Sequence, residues 1–274
     1  MKRYIIPIFL LCFLLTGCKV VSSDVLSVQP VTHTGTNTLK PGPTIPVNPY
    51  TPTDFDLDGD FMTCLSGDYR IGIDVSAWQE EINWQQVADA GVEFVILRIA
   101  WRGSEKGVLA EDTCFRRHYE GATAAGLQVG GYFFSQAISP EEAAEEAEYA
   151  LSILEDRSLQ MPLCFDWEEL SPNYRTNKMD VRTLTDCVKT FCERVKEAGY
   201  EPGIYFNPDL AGRLLYLEEL TDYRFWLALY GTEMNYGYKV DLWQYTNAGH
   251  VPGINGDVDL NIYLNYNMEE SNNE

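Results

Sequence analysis

Two acidic residues stand at the end of an apolar segment near the middle of the chain. In LCFDWEEL, residues 163–170, Asp166 and Glu168 are separated by Trp167. Side chains two residues apart on a β-strand point to the same face, so a strand ending here would present both carboxyl groups side by side. Neighbouring carboxyl groups cannot both ionise freely, so one keeps its proton near neutral pH while the other can stabilise positive charge. That pairing suits cleavage of a glycosidic bond.

Two more acidic residues stand at predicted strand ends elsewhere in the chain. Asp74 lies in GIDVS, and Asp259 lies in DVDLN, two residues after Asp257. Active sites of β/α barrels lie where the strands end at their C-terminal side, so the strands of one barrel would bring these acids together. A single Asp-x-Glu pattern carries little weight, but four acids at the strand ends of one barrel predict a catalytic site.

A repeated unit positions these segments, namely an amphipathic helix closed by glycine and followed by an apolar strand. Gly91, Gly126 and Gly199 close three such helices. A fourth helix begins with Ser139 as N-cap and has Glu142 at the capping-box position. Alternation of helix and strand at about 35 residues predicts a parallel sheet covered by helices.

The rhythm changes in the last third of the chain. Three predicted strands, RFWLALY, KVDLWQY and DVDLNIY, are separated by gaps too short for full helices. We therefore predict an α/β fold, a TIM-like barrel with about five β/α units and three further strands. An open doubly wound sheet is the alternative. No glycine-rich phosphate loop follows the first strand, so nothing supports a nucleotide site.

The chain opens with a predicted export signal. Residues 1–17 combine a basic start with an apolar segment too short to span a bilayer, and Leu15-Thr16-Gly17 precede Cys18. This order resembles the lipobox of bacterial lipoproteins, in which the peptide is cut before a cysteine that is then diacylated. We expect a lipidated Cys18 to anchor the protein to the outer face of the bacterial cell membrane. A plain secretory signal is the alternative.

Four segments are predicted after the signal peptide. Residues 18–53 contain the lipidated cysteine and a Pro/Thr-rich linker, and residues 54–70 lead into the barrel through a hairpin that joins FMTCL to YRIGIDVS. The barrel itself occupies residues 71–265, and residues 266–274 form a polar tail.

The net charge of the chain and the spacing of its histidines argue against nucleic acid, metals and other cofactors as partners. The formal net charge of −21 argues against nucleic acid, which needs clustered Lys and Arg. The three histidines have no His or Cys at ligand spacing, so we expect neither a metal nor another cofactor, and we expect a monomer. The segment Asp54–Asp58 matches the opening of a calcium loop, but Leu65 stands where the bidentate glutamate is needed.

The cysteines predict buried thiols rather than a disulfide framework. Cys12 leaves with the signal peptide and Cys18 carries the lipid, so an odd number remains. The five that remain are Cys64, Cys114, Cys164, Cys187 and Cys192. Whether any of them pair is open at this point.

A set of ordered segments resembles family 25 of the glycoside hydrolases, the N-acetylmuramidase lysozymes. The segments are GIDVSAWQEEINW, FVILRIAWRG, GATAAGLQVGGYFFSQA, FDWE, FWLALY and WQYTNAGHVPGINGDVDLN, within residues 71–263. The resemblance implies a barrel with five β/α units and three further strands. It also implies hydrolysis of the β-1,4 bond between N-acetylmuramic acid and N-acetylglucosamine in peptidoglycan.

The same resemblance implies a role for each acid. Glu168 would be the general acid, and Asp166 would orient and stabilise the substrate's 2-acetamido group as it attacks the anomeric carbon. Asp74 and Asp259 would tune Glu168 and hold or activate water. A carboxylate nucleophile and an inverting water both stay open, because the sequence does not give the separation of the carboxyl groups that decides between them.

Aromatic residues at strand ends are candidates for sugar binding, because the apolar C–H faces of a pyranose pack on aromatic rings. The candidates are Tyr132, Tyr205, Trp226, Tyr230 and Trp243. Core packing is the alternative for each of them.

Two other functions stay open. One is a glycosidase acting on another N-acetylhexosamine polymer, such as chitin, although Leu163 and Cys164 stand where the chitinase pattern DxxDxDxE has its earlier acids. The other is a catalytically inactive, wall-binding lipoprotein, which the loss of Asp166 or Glu168 would have favoured. Both residues are present, so an active muramidase is the preferred hypothesis.

Overall fold

The computed structural model describes residues 44–265. Its strands are β1 Phe55–Asp58, β2 Phe61–Cys64, β3 Asp68–Val75, β4 Phe94–Arg102, β5 Leu109–Glu111, β6 Gln128–Ser135, β7 Leu163–Trp167, β8 Pro202–Phe206, β9 Arg224–Ala228, β10 Leu242–Gly249 and β11 Val258–Asn265. Its α-helices are α1 Trp84–Asp89, α2 Phe115–Ala124, α3 Pro140–Leu154, α4 Val181–Glu197 and α5 Pro208–Leu214.

Eight of these strands close into a barrel. The order around the barrel is β3, β4, β6, β7, β8, β9, β10 and β11, and β11 pairs back to β3. Neighbours are parallel except at β11, which is antiparallel to both β10 and β3. The closure confirms the predicted TIM-like barrel and excludes the open sheet.

The five helices each follow one of the first five barrel strands, as the spacing predicted. Local sequence explains where they begin. Ser139 accepts a hydrogen bond from the backbone N–H of Glu142 at the start of α3, and Asp180 caps α4 by accepting from the N–H groups of Arg182 and Thr183. The capping-box Glu142 bonds to the backbone N–H of Ile138 rather than to that of Ser139.

Two apolar layers hold the barrel together. The larger layer lies between the strands and the helices and includes Phe133, Phe165 and Phe191, whose rings pack against one another. The smaller layer fills the barrel interior with Phe94, Ile96, Met161, Cys164, Trp226 and Leu242. This division follows from strand alternation, which sends successive side chains inward and outward.

The predicted hairpin joins the wrong pair of strands. β2 pairs with β1, not with the strand that begins at Asp68, and Asp58 stands opposite Phe61. Gly59, at a φ of +65°, and Asp60 make a two-residue turn, for which glycine is suited. β3 also begins three residues before the predicted start of the barrel, at Asp68.

The predicted linker is also too long at its C-terminal end, because residues 44–53 dock on the barrel. Asn48 donates its backbone N–H to the carbonyl of Gly237, and Lys239 donates to the carbonyl of Pro46, at 3.1 and 2.8 Å. The Tyr50 ring packs edge-on against Phe55. A proline-rich segment has no periodicity to reveal such docking, since backbone groups make most of the contacts.

The predicted signal peptide, the lipidated Cys18 and the polar tail lie outside the described residues. None of the described helices has the length and apolar character needed to cross a bilayer. All five cysteines from Cys64 onward are free, and four of them are buried while Cys114 is partly exposed.

Candidate active site

One rim of the barrel brings the four predicted acids together. Asp74 and Asp166 lie in the last two residues of β3 and β7, and Glu168 follows β7 directly. Asp259 faces Asp74 across the antiparallel pairing of β11 with β3. The prediction that Asp259 lies at the C-terminal end of its strand is wrong. It lies at the start of β11, and the reversed direction of this strand returns it to the same rim.

A groove of about 390 Å³ opens over these acids. The acids line it together with the aromatic residues Trp78, Tyr132, Phe134, Tyr205, Trp226 and Tyr230 and the polar residues Ser76, Gln79, Arg98, Gln244 and Asn247. The arrangement places several carboxyl groups close together among aromatic and polar side chains, where burial disfavours the charged form of each.

Asp74 is held by two neutral amides. Its Oδ2 accepts hydrogen bonds from Gln244 Nε2 and from Asn261 Nδ2, each at 2.8 Å. Burial raises the pKa of Asp74 to about 6, an effect that these two hydrogen bonds reduce and that the charge of Glu168 adds to. Asp74 is therefore the group in this cluster with the strongest hydrogen-bond support for a negative charge.

At Asp259 and Glu168, repulsion from a neighbouring carboxylate adds to the effect of burial, and both raise the pKa. Burial and then the charge of Asp74 raise the pKa of Asp259 to about 8. Burial and then Asp259 raise the pKa of Glu168, a half-buried residue. A glutamate in these surroundings holds its proton to higher pH than a solvent-exposed one, which is the property that a general acid needs.

Asp166 combines deep burial with an unpaired oxygen. Within residues 44–265, no hydrogen-bond donor reaches its Oδ1, which is shielded from solvent. Burial, followed by the charges of Glu168 and Asp74, raises the pKa of Asp166 well above its usual range, while Arg98 opposes the rise.

The guanidinium that faces Asp166 is held from outside the groove. Arg98 Nε donates to Asp112 Oδ2 at 2.8 Å. The buried Asp112 also accepts from the backbone N–H groups of Ala77 and Cys114. Asp112 thus links the segment after β3 to the segment that starts α2 and fixes the cation at the rim.

Tyrosine hydroxyls extend the hydrogen-bond network around Asp74. Tyr205 and Tyr230 both donate to Gln244 Oε1, at 3.0 Å each. The rings of Tyr132 and Tyr205 pack edge-on against Trp226, with centroids 6.0 and 4.9 Å apart. The predicted residues Tyr132, Tyr205 and Tyr230 therefore all face the groove.

The two predicted tryptophans behave differently. Trp243 is fully buried outside the barrel wall, where its Nε1 donates to the carbonyl of Leu229 and its ring packs against Phe55. Its neighbour Gln244 points inward, so alternation sends Trp243 outward, and its assignment to sugar binding is wrong. Trp226 reaches the groove with only 1% of its surface exposed, and its Nε1 donates to Asn261 Oδ1. Trp226 forms the floor under the tyrosines rather than an open platform.

Several residues of the site were not predicted from the sequence, among them Arg98, Asn261, Gln244 and Trp78. Arg98 is a charged residue within a buried strand, and Asn261 lies two residues after Asp259 on the same face, so both carried a signal. Gln244 could have been found from alternation around Trp243. Trp78, whose side chain is 82% exposed at the groove, sits in a short 3₁₀ turn just after β3 and had no periodic signal.

Comparisons with known proteins identify the family. The profile described as glycosyl hydrolases family 25 matches residues 73–254. The uncharacterized protein YegX of Escherichia coli strain K12 is 32% identical over 220 residues, which cover 77% of this chain and 75% of YegX.

Two lysozymes are more distant relatives. The autolytic lysozyme of Clostridium acetobutylicum is 26% identical over 197 residues, and the alignment covers 70% of this chain but only 55% of that protein. The crystal structure of the bacterial lysozyme from Streptomyces coelicolor matches with a TM-score of 0.57 and 26% identity, over 72% of this chain and 92% of that one. The family profile covers most of the barrel, and YegX supports it over a similar length. The chain therefore belongs to family 25 of the glycosyl hydrolases.

Proposed function

We propose that this chain hydrolyses the β-1,4 bond between N-acetylmuramic acid and N-acetylglucosamine in peptidoglycan. The observation that carries the proposal is the cluster of four carboxyl groups on one rim, all of which line the same groove. Family membership and the names of the two lysozymes support the substrate class.

Glu168 is the general acid in this proposal. It lies beside the groove just past β7, and its raised pKa keeps the proton that the departing sugar oxygen must receive. As the glycosidic bond breaks, the oxygen of the substrate's own 2-acetamido group bonds to the anomeric carbon. Water then attacks that carbon and transfers a proton back to the Glu168 carboxylate, which restores the enzyme.

Asp166 orients the acetamido group. Its carboxyl group lines the groove and accepts the amide N–H, and a negative charge on Asp166 stabilises the positive charge that develops on the acetamido group during attack. Arg98 favours that ionised form of Asp166. Asp74 and Asp259 tune Glu168 and hold the water.

The aromatic side chains that line the groove bind the glycan. Tyr132, Tyr205 and Tyr230 line the groove around the acids, and Trp78 stands at its edge. Ring faces pack on the apolar sides of the sugars, while the hydroxyls and Gln244 offer hydrogen bonds to their polar edges.

We further propose that the protein acts as a lipid-anchored monomer on the outer face of the bacterial cell membrane. The support is the order of residues before Cys18 in the sequence. Anchoring there would hold the barrel near peptidoglycan and raise its local concentration.

The test of the activity compares two neighbouring glutamates. Purified peptidoglycan is incubated with the wild-type protein, with Glu168→Gln and with Glu169→Gln, whose exposed side chain pairs with Arg213. New reducing ends are reduced with borohydride and identified by mass spectrometry. We expect muramitol ends from the wild type and from Glu169→Gln, and none from Glu168→Gln.

Each other outcome identifies a different function. Glucosaminitol ends would show that the protein is a glycosidase that cleaves a different bond of the glycan strand. Cleavage of chitin oligomers in place of peptidoglycan would move the activity to another N-acetylhexosamine polymer. No new ends from folded wild-type protein, together with retained binding to the wall, would indicate an inactive wall-binding lipoprotein.

A further inference from the structure

A second cavity, of about 270 Å³, lies beside the catalytic groove. One of its walls is the β1–β2 hairpin, with Leu57, Gly59 and Asp60. The opposite wall is the loop after β9 together with β10 and β11, and it contributes Tyr230, Thr232, Tyr245 and Thr246. The hairpin, residues 55–64, precedes the segment that matches the family profile, so this wall is an addition to the barrel.

The hairpin is fixed to the barrel rather than hanging from it. Tyr245 accepts a hydrogen bond from the backbone N–H of Met62 at 3.1 Å and donates to the carbonyl of Asp60 at 3.2 Å. The Phe55 ring packs edge-on against Trp243, with centroids 5.2 Å apart. These contacts hold Leu57 and Asp60 in place without a ligand, which lowers the entropy cost of binding one.

Tyr230 joins this cavity to the catalytic groove. Its side chain lines both spaces, and it is 53% exposed. Its hydroxyl donates to Gln244, which in turn donates to Asp74, so the ring stands at a fixed position next to the acids. A polymer that extends from the groove past Tyr230 would therefore reach the second cavity.

The lining of the second cavity suits a sugar. Leu57, which is 42% exposed, and the Tyr230 ring offer apolar surfaces to the C–H face of a pyranose. Thr232, Thr246 and Asp60 lie around them and can hydrogen-bond to sugar hydroxyl groups. Thr246 Oγ1 already accepts from the N–H of Ala248, and its hydroxyl proton stays available to a sugar oxygen. A wholly apolar ligand would offer these polar groups no partner, whereas a sugar uses both kinds of surface.

We propose that the second cavity is an accessory glycan subsite, which binds one additional N-acetylhexosamine of the strand whose bond is cleaved in the groove. This inference rests on the proposed function. The subsite makes the enzyme favour long glycan strands over short ones. Because its contacts lie away from the reacting bond, it lowers KM for long strands and leaves kcat unchanged.

The experiment uses glycan strands without peptide stems, four and eight sugars long. kcat and KM are measured for the wild type, for Leu57→Ser and for Leu65→Ser, a control at an exposed leucine just after the hairpin that does not line the cavity. We expect Leu57→Ser to lower kcat/KM about five-fold on the eight-sugar strand, the order expected for loss of one apolar contact. We expect no change on the four-sugar strand, and none for Leu65→Ser on either.

Thr232→Val gives a second measurement that does not depend on the hairpin. It removes a hydroxyl from the opposite wall, and it should also raise KM for the eight-sugar strand alone. The melting temperature of each variant shows that it is folded.

Several results would overturn the subsite. Equal losses of kcat/KM on the four-sugar and eight-sugar strands would exclude the subsite. Unchanged kcat/KM on the eight-sugar strand in either Leu57→Ser or Thr232→Val would also exclude it. A loss seen only with strands that carry peptide stems would assign the cavity to the peptide instead. Failure of the wild type to cleave either strand would contradict the proposed function itself, and the inference would fall with it.

Discussion

At the scale of single residues, the rim acids are supported mainly by neutral groups. Asp74 is bonded to the amides of Gln244 and Asn261, and the facing cation, Arg98, is shared with Asp112. Neutral partners stabilise a carboxylate less than cations do, so burial and repulsion dominate and the pKa values rise. The cluster therefore retains protons near neutral pH, which a general acid requires.

Removal of Asp259 should shift the pH dependence of the reaction. With Asp259→Asn one repelling carboxyl group is gone, so Glu168 loses its proton at lower pH than in the wild type. Since the general acid must be protonated, activity falls as pH rises through its pKa, and the alkaline limb of kcat/KM should move to lower pH. Asp257→Asn, an exposed neighbour paired with His250, is the control and should leave the profile unchanged. An unmoved limb in Asp259→Asn would remove Asp259 from the tuning of Glu168.

Gln136 is expected to position the catalytic acid. This buried side chain donates from Nε2 to the carbonyl oxygens of Glu168 and Ser135, at 3.1 and 2.9 Å, and accepts from Thr176 Oγ1. Gln136→Met should lower kcat about 10- to 100-fold with little change in KM, because a small displacement of Glu168 misaligns proton transfer. Thr176→Val, which removes one bond from Gln136, should have a smaller effect in the same direction. Wild-type kcat in folded Gln136→Met would show that β7 alone positions Glu168.

Alternation along strands explains which site residues could be predicted from the sequence. Asp166 and Glu168 were found because they are two residues apart, and the same rule would have given Asn261 from Asp259. Trp243 lies outside the barrel because its parity is opposite to that of Gln244, and aromatic character alone does not show which face of a strand a residue occupies. Gln136 and Asp112 lie in loops just after β6 and β5, where no periodicity exists to mark them.

At the scale of elements, the antiparallel direction of β11 can be predicted from the length of the preceding loop. The segment DVDLNIY predicts the position of this strand but does not by itself give its direction. Only residues 250–257 separate it from β10, and a parallel crossover needs a dozen residues or more. The short gap therefore already required an antiparallel strand, which starts at the catalytic rim and brings Asp259 there.

A buried ion pair joins β4 to α3. Arg102 donates from Nε to Glu146 Oε1 at 2.7 Å and also bonds to the carbonyls of Gly107 and Glu142, while Glu146 Oε2 accepts from Ser135. This cluster fixes the loop after β4 against the first turns of α3. Burial still raises the pKa of Glu146 to about 7, so its charge depends on the arginine.

Loss of this arginine should destabilise the protein strongly. Arg102→Met leaves Glu146 without its cation and should lower the free energy of unfolding by about 3–5 kcal/mol near pH 8. The loss should be smaller at pH 5. At pH 5 Glu146 keeps a proton in the folded protein, because burial raises its folded-state pKa. The stability that this proton provides is lost as the pH rises through the folded-state pKa. Denaturant unfolding at both pH values measures the loss of stability.

The control is Arg194→Met, which breaks an exposed pair with Glu197 and should lower the free energy of unfolding by less than about 1 kcal/mol. Equal losses for the two variants would contradict the role of the buried pair.

At the scale of the whole molecule, both ends of the described chain lie at the face opposite the groove. Pro46 sits beside Pro202 and Arg224, the first residues of β8 and β9. Asn265 pairs with Asp68, where β3 begins. The acids lie at the other rim, where β3 and β7 end. In a protein anchored at Cys18, the tether would therefore join the barrel at the face opposite the groove.

The docked segment at residues 44–53 sets the reach of such an anchor. Residues 19–43 are left to span the distance, at most about 85 Å if fully extended. Deletion of residues 24–43 from the lipid-anchored protein should reduce hydrolysis of intact, immobilised peptidoglycan. Hydrolysis of soluble glycan fragments should be unchanged, since the open groove faces solvent. Both rates are measured on the same vesicle-bound protein, with the undeleted chain as control. Equal loss of both activities would mean that the groove faces the bilayer, and unchanged activity on immobilised substrate would mean that reach is not limiting.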